Sequence, residues 1–511
     1  MRNADGVCIK LSRHTLFCGQ EILSENLWYD ALSFTQVDRM TINNIDVDAS
    51  IKQVKDLLAE EKDISPALKS SLEVLLLLVS LLANRFGLNS KNSSTPPAAD
   101  PNREKTSRAK GVRKPGGQPG RSGASLQRVN DPDVIKEIKV DASALPEGNY
   151  RQIGFESRQI VDLDISRIVT EYRAQVLEDE AGKRYVAPFP SHASRPVQYG
   201  SGVKINAVYM SQFQLIPYNR VADHLLEQMQ IPVSVGSIHN FNQDAFERLE
   251  LFDRWVRKQL AASSLLHADE TGINISGNRN CLHSASNKEL TFFYPHSKRG
   301  AEALDEIGII PEFNGTLCHD HWKPYYRYSC SHALCNAHHL RELERAWEQD
   351  EQKWARDMIL LLKEINKATE TAGGHLSDFD AGIYRKRYRS LLEEADKQCP
   401  PPDESKRNGR RGRLARSKSR NLLERLRDFE TDVLRFMVEE EVPFSNNLAE
   451  NDLRMTKVQQ KISGCFRSPE GAHMFCRIRS YISTCRKQGV TASVALRLLF
   501  EGKSPSFMQG Q

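Results

Sequence analysis

Two short apolar runs, each ending in an acid, constrain this chain more than any other feature. Leu265-Leu266-His267-Ala268 passes into Asp269-Glu270-Thr271, and Gly315-Thr316-Leu317-Cys318-His319 passes into Asp320-His321-Trp322. Runs of this length and composition read as buried strands. Each aspartate then sits at the exit of its strand, where a core side chain gives way to a site. Cys281-Leu282-His283 and Leu290-Thr291-Phe292-Phe293-Tyr294 read as further strands, and Ala301 to Ile307 as a short helix. Several strands, a helix and another strand make a mixed α/β sheet.

A third acid, Glu450, lies far downstream in Ser445-Asn446-Asn447-Leu448-Ala449-Glu450-Asn451. Two aspartates at strand ends and a glutamate on a late helix suit hard divalent cations, which take oxygen ligands. Two such ions about 4 Å apart clamp the attacking and leaving oxygens of a phosphoryl displacement. The chain holds 66 acidic residues, so spacing alone does not select these three. On a helical wheel, Glu450, Arg454, Lys457 and Lys461 fall within about 60° of one another. Leu448, Met455, Val458 and Ile462 share a different face. An acid followed by three cations suits a metal-binding carboxylate with phosphate-binding neighbours. Two plainer readings stand beside it: Asn447-x-x-Glu450 has the form of a capping box, and Arg454 is placed for an i, i+4 ion pair with Glu450.

The 511 residues have room for about three or four domains. Net charge is only +5, so the chain is not a polycation and its basic residues act locally. Ten scattered cysteines, with none between Cys18 and Cys281, form no disulfide framework and point to a reducing cytosol. No signal pattern opens the chain, and its longest apolar run, Val74 to Val79, is too short to span a bilayer. A soluble intracellular protein with no membrane partner is expected.

Residues 1–62 receive no assignment. Over 63–87, Ser65-Pro66 starts a helix. Leu68, Leu72, Leu75, Val79, Leu82 and Phe86 then recur at heptad spacing. That seam fits either a dimerising coiled coil or a helix packed on its own domain. Residues 88–130 have linker composition, with eight Lys or Arg and one Glu from Arg103 to Arg128. Arg113 and Lys114 lie at the centre of this basic arm. Such an arm gains affinity from phosphates by counterion release; the plainer reading is a solvated tether.

Residues 131–190 alternate apolar and polar side chains, as at Val161, Leu163 and Ile165, and read as a small β-rich module. Residues 191–262 are helical. A segment from Val221 to Met229 is broken by Ile231-Pro232, and a long amphipathic helix then carries Ile238, Phe241, Ala245, Leu249, Phe252, Val256 and Leu260 on one face. Helix, turn, helix fits a DNA-binding pair. Two packed scaffold helices fit better, because the second is long and not especially basic. Cys330, His332, Cys335, His338 and His339 are spaced too tightly for a zinc finger, and structural zinc is not expected. Residues 337–441 read as helical, interrupted by Lys406 to Arg413 and followed by Arg416, Lys418 and Arg420. Arg410, Arg411 and Arg413 on this Gly-containing loop suit phosphate contacts; a solvated loop is the alternative.

Several motifs in one order carry a family resemblance. They are His267-Ala-Asp269-Glu-Thr271, Cys318-His-Asp320 with Trp322 and Tyr325-Tyr326, Cys335-Asn-Ala-His338, and Ser445-Asn-Asn-Leu-Ala-Glu450-Asn-Asp-Leu-Arg454. Gly116-Gly-Gln-Pro-Gly120 and Lys461-Ile-Ser-Gly-Cys-Phe-Arg467 extend the set. Together, from about residue 66 to the C-terminus, the chain resembles the transposases of the insertion sequence 66 family.

The resemblance implies a DDE-type transposase with a ribonuclease-H-like catalytic core. In this α/β architecture, residues 263–336 form the first part of the core, 337–441 a helical insertion and 442–511 the C-terminal helices. A helical or coiled-coil N-terminal region and the β-rich module precede them. Asp269, Asp320 and Glu450 would be the catalytic triad and the ligands of Mg²⁺, with Mn²⁺ able to substitute. Arg454, Lys457 and Lys461 would hold DNA. Cys335 and His338 match a Cys-x-x-His signature with an expected structural role.

The implied activity is strand cleavage at transposon ends and strand transfer into target DNA. The implied partners are double-stranded DNA, further copies of the chain and accessory proteins encoded by the same element, in bacterial cytoplasm at the nucleoid. A nuclease that cuts without joining, and a DNA-binding regulator or inactive derivative, are the rivals. One departure stands out: the family commonly carries a cysteine-rich zinc module after the basic arm, whereas residues 131–190 contain no cysteine.

Overall fold

The computed structural model describes residues 41–42, 45–60, 64–86, 92–93, 126–403 and 414–509. The basic arm over 103–125 and the loop over 404–413 lie outside the described residues. The chain divides into two units, residues 1–88 and 89–511.

In the first unit, β1 (Thr41–Ile42) pairs antiparallel with β2 (Ile45–Asp46). Helix α1 (Val47–Glu60) follows and packs against α2 (Pro66–Phe86). Ser65 starts α2 by accepting the Leu68 N–H at 3.3 Å on its hydroxyl. Of the heptad seam, Leu68, Leu75, Val79 and Leu82 stay exposed while Leu72 is half-buried. Packing on α1 therefore covers only a minor part of the seam.

The second unit opens with an irregular stretch. Among the described residues, the β content expected over 131–190 is one hairpin, β3 (Val176–Glu178) with β4 (Arg184–Val186). The alternating Val161 and Leu163 are 62% and 77% exposed, so their pattern finds no sheet face to bury against.

Four helices follow: α3 (Ser201–Val208), α4 (Tyr218–Met229), α5 (Val235–Arg248) and α6 (Glu250–Ala261). The expected single long helix is interrupted at Leu249, which leaves helical geometry at φ −88°, ψ 7°. Its apolar face is nonetheless continuous, with Ile238, Phe241, Ala245, Leu249, Phe252, Val256 and Leu260 all buried.

The sheet contains β5 (Leu265–Ile275), β6 (Asn278–Ser286), β7 (Thr291–His296), β8 (Thr316–His319) and β9 (Ser331–Leu334), in the order β7-β6-β5-β8-β9. The first three strands form an antiparallel meander, and β5, β8 and β9 run parallel. Ser276 and Gly277 turn β5 into β6 with φ of 51° and 82°. Two left-handed residues at this position suit a tight hairpin that follows the strand twist. Helix α7 (Ala301–Ile307) crosses between β7 and β8.

Beyond β9 come α8 (Asn336–Glu348), α9 (Lys353–Thr371), α10 (Asp378–Gln398), α11 (Lys418–Asp428) and the short α12 (Glu430–Val433). The chain then returns to the sheet as α13 (Asn447–Ser463), α14 (Pro469–Lys487) and α15 (Ala492–Phe500).

Period-two alternation assigns the two faces of β5 to two cores. Leu266 and Ala268 join the buried side chains of α4–α6, α14 and α15, while Leu265 joins those of α8–α11. The second core is large, with Trp354, Met358, Leu362, Tyr388 and Leu423 fully buried. Helix α14 closes the open edge of the meander. Thr484 and Ser480 accept the N–H groups of Thr291 and Phe293 on β7 at 3.0 and 2.8 Å. Among the described residues no helix is long and apolar enough to cross a membrane.

Gly315 opens β8 with no room for a side chain. An added Cβ would stand 2.3 Å from the Ser264 carbonyl oxygen and 2.7 Å from that of Ser263. The Ser264 carbonyl cannot withdraw without losing the Thr316 N–H bond of 2.8 Å that sets the β5–β8 register. Overpacking of this kind costs about 1–3 kcal/mol. Gly315→Ala is expected to lower the unfolding free energy in urea by about 2 kcal/mol, and a loss below about 0.5 kcal/mol would contradict this packing.

Candidate active site

The β5–β8 register decides where the first two acids lie. Leu265, Leu266 and His267 stand opposite Thr316, Leu317 and Cys318. Carried on, the same offset places Asp320, just past the end of β8, beside Asp269. Asp269 itself is not at a strand exit. β5 continues to Ile275 because its outer half pairs with β6, Asp269 lying opposite Ser284.

Helix α13 brings Glu450 to the same place, and Asn446 anchors the start of that helix. Asn446 is buried; its side-chain amide donates to the Ala268 carbonyl at 2.9 Å and its Oδ1 meets His267 Nδ1 at 2.7 Å. Its backbone N–H donates to Cys335 Sγ at 3.1 Å. The capping box does not form: the N-cap is Asn446 rather than Asn447, and no side chain caps the helix. Nor does Glu450 pair with Arg454 among the described ion pairs. Its carboxylate faces Arg341 at 3.8 Å and His338 at 3.9 Å on α8.

The charges of this cluster act on one another. Burial pushes the Asp269 carboxyl up to about 8, and Glu270, Asp320 and Glu450 add to the rise. Glu270 is also raised, first by burial and then by Asp320, but it has its own partners. Arg299 donates to it from Nε at 3.0 Å, and the Tyr325 hydroxyl donates at 2.9 Å. The Arg299 guanidinium lies 5.0 Å over the Trp322 ring. Asp320 accepts the Trp322 N–H at 3.1 Å, and the next residue, His321, holds a left-handed φ of 71°. A non-glycine residue in that region is strained and points to a tightly determined turn.

The cations of α13 divide. Arg454 and Lys461 are exposed. Lys457 reaches back to donate to the Gly272 carbonyl at 3.0 Å, and burial there lowers its ammonium below the usual lysine range. The buried side of α13 is Ala449, Leu453 and Thr456, with Met455 and Val458 half-buried and Ile462 45% exposed. The expected apolar face is thus rotated toward Leu453, which packs in one core with Ile273, Ile275 and Leu282 of the sheet.

Arg410, Arg411, Arg413, Arg113 and Lys114 lie outside the described residues. Arg420, expected on a mobile loop, is buried in α11. It bonds Asp396 at 2.6 Å, Glu424 at 2.9 Å and the Cys399 carbonyl at 2.9 Å, which leaves no surface for phosphate.

Cys335 caps the start of α8 and is buried, and His338 sits one turn further. Of the surrounding histidines, His319 is buried against His332 at 3.1 Å, and His339 bonds Asn336 at 3.0 Å. Burial holds both His319 and His339 well below the usual imidazole range. The site partners that motif reading missed are Glu270, Arg299, Arg341 and Asn446. Only Glu270 and Asn446 carried a signal, as neighbours of the acids in the same motifs.

Asp269 carries a pH signature in chelator-treated protein. Its carboxyl rises from 3.8 to about 8 on folding, so its contribution is fully present below pH 3.8 and is lost as pH rises through about 8. Wild type is expected to lose stability relative to Asp269→Asn by a few kcal/mol across that window, measured by urea unfolding in chelator. A pH-independent difference between the two proteins would contradict the burial and crowding described.

Residues 35–127 match a family model of unknown function, DUF6444. No curated protein matches the chain. Residues 197–474 match the family model described as Transposase IS66 family. That match spans both aspartates, the helical region and Glu450, and covers more than half of the chain. The chain belongs to the IS66 transposase family.

Proposed function

We propose that this protein is a DDE-type transposase whose Asp269, Asp320 and Glu450 carry metal-dependent phosphoryl transfer on DNA. Family membership supports a transposase role with DNA as partner. The observation that carries the chemistry is the convergence of three acids from β5, the end of β8 and α13 into one half-buried group whose like charges oppose ionisation of Asp269. The strand order, a meander followed by two parallel strands, supports a ribonuclease-H-like core. The helices between β9 and α13 are then an insertion into it.

The residues fit magnesium. Burial first and like charges next oppose ionisation of Asp269, and a hard cation with oxygen ligands offsets that opposition. Asp269, Asp320 and Glu450 would hold the ions, and Mn²⁺ suits the same oxygens. When bound, such ions supply charge neutralisation at the attacking and leaving oxygens of a phosphodiester.

The chain's own residues supply position and charge. Arg299 and Tyr325 hold Glu270 beside Asp269, and Asn446 sets the start of the helix that bears Glu450. Arg454 and Lys461 offer exposed cations on that helix for DNA phosphates. In cleavage, water attacks a phosphodiester at the transposon end and a 3′-hydroxyl leaves. In joining, that hydroxyl attacks a target phosphodiester, bonds to its phosphorus and expels the 3′-oxygen of the target strand, which leaves as a hydroxyl. Arg113 and Lys114 on the arm and Arg410, Arg411 and Arg413 on the loop would add backbone contacts. The exposed leucines of α2 would pair copies of the chain, and proteins encoded by the same element would complete the assembly in the bacterial cytoplasm.

The test is a Mg²⁺- or Mn²⁺-dependent assay on DNA carrying the element's own ends. Asp269→Asn, Asp320→Asn and Glu450→Gln should each lose at least about 10³-fold in cleavage while retaining DNA binding. Full activity in any of the three would remove that residue from the triad, and cleavage without joined product would favour a nuclease. Leu75→Lys with Leu82→Lys should lower the mass in sedimentation to that of one chain. An unchanged assembly would assign pairing elsewhere.

A further inference from the structure

Three ligand-type side chains meet where α8 and α13 begin. One ligand atom from each of Cys335, His338 and Glu450 lies within 4.8 Å of the other two. His338 Nδ1 and Glu450 Oε1 are both buried, and neither has a hydrogen-bond partner. They face each other at 3.9 Å, too far for a hydrogen bond. Buried polar atoms left unpaired are rare, and a facing pair of them calls for a third party. Two ligands of one zinc ion at about 2.1 Å stand roughly 3.4 Å apart, so a small side-chain adjustment brings this pair to that spacing. Arg341 approaches the other carboxylate oxygen only at 3.8 Å, so Oε1 faces the imidazole while Oε2 stays available to the triad.

The surroundings of the sulfur point the same way. Cys335 stands at the N-terminus of a 13-residue helix, where backbone N–H groups are unpaired. The Asn446 N–H reaches its sulfur at 3.1 Å, and the N–H groups of His338 and Ala337 also act on it. Burial raises this thiol, and the Asn446 N–H at its sulfur works against that rise, toward the thiolate that a metal ligand must become.

We propose that Cys335, His338 and Glu450 form a mononuclear site for a divalent cation of the zinc class, with the fourth position left to water. A sulfur, an imidazole and a carboxylate suit zinc or cobalt and do not suit magnesium. The site is distinct from a finger built on the run from Cys330 to His339, because His332 and His339 are engaged elsewhere and the third ligand comes from α13. It shares Glu450 with the proposed triad but does not rest on phosphoryl transfer. An ion here would tie α8 to α13.

The experiment uses the full chain, stripped with chelator and titrated with Co²⁺ without DNA. About one tightly held ion per chain and a thiolate-to-cobalt absorption band are expected. Cys335→Ser should abolish the band, and His338→Ala should weaken cobalt binding by at least about tenfold while leaving the thiol in place. Cys465→Ser, outside the set, should keep both. Absence of the band in wild type, or its persistence in Cys335→Ser, overturns the proposal. Because wild type alone can fail the test, a poorly folding variant does not shelter it. DNA cleavage plays no part in the readout, so failure here and failure of the transposase reading are separate results.

Discussion

The parallel pairing of β5 with β8 is the contact on which the rest depends. It brings two segments some fifty residues apart into an offset that aligns Asp269 with Asp320. Asn446 then adds the third element, bonding β5 one residue before Asp269 and the sulfur of Cys335 at the head of α8. A single buried residue thus joins the sheet, α8 and α13 at the place where the acids meet, through its side-chain amide to Ala268 and its backbone N–H to Cys335. Removing such a group would leave the Ala268 carbonyl buried without its partner, at a cost of about 1–3 kcal/mol.

The acids would not gather without a reason stronger than packing. Asp269, Glu270, Asp320 and Glu450 lie close enough to influence one another in a partly dry region. Glu270 is compensated by Arg299 and Tyr325, and among the described residues Glu450 has the longer approaches of Arg341 and His338. Asp269 has a backbone N–H and like-charged neighbours. Burial of uncompensated like charges destabilises a fold, and such clusters concentrate at functional sites. The same imbalance that raises the Asp269 carboxyl would favour a bound cation.

The helices from α8 to α12 form a substantial core of their own while remaining attached to the sheet. Trp354, Tyr388 and Leu423 are buried within it, and Leu265, Cys318 and Ala333 of the sheet pack on it. Their order matters for the site, since α8 delivers His338 and Arg341 to Glu450. Arg420 shows how a basic run can mislead: its charge is consumed by Asp396 and Glu424 inside this body. A cation's sequence neighbours say little about which side of a helix it will occupy.

The sequence by itself determined which segments form strands and helices around the site. Short apolar runs became β5 and β8, and apolar residues at helical spacing became the buried faces of α5 and α6, because local periodicity governs which side chains share a face. Motif order was enough to indicate the family. Tertiary structure alone decided the rest. β5 outlasts its apolar run because β6 pairs with its polar half; the apolar centre of β6 at Cys281–His283 is legible locally, but its pairing with Glu270 to Gly272 is not. The buried face of α13 follows Ala449, Leu453 and Thr456, since contact with Ile273, Ile275 and Leu282 of the sheet selects it over the local apolar pattern. Glu450 turns toward Cys335 and His338 because two helices converge, and distance along the chain carries no trace of that meeting.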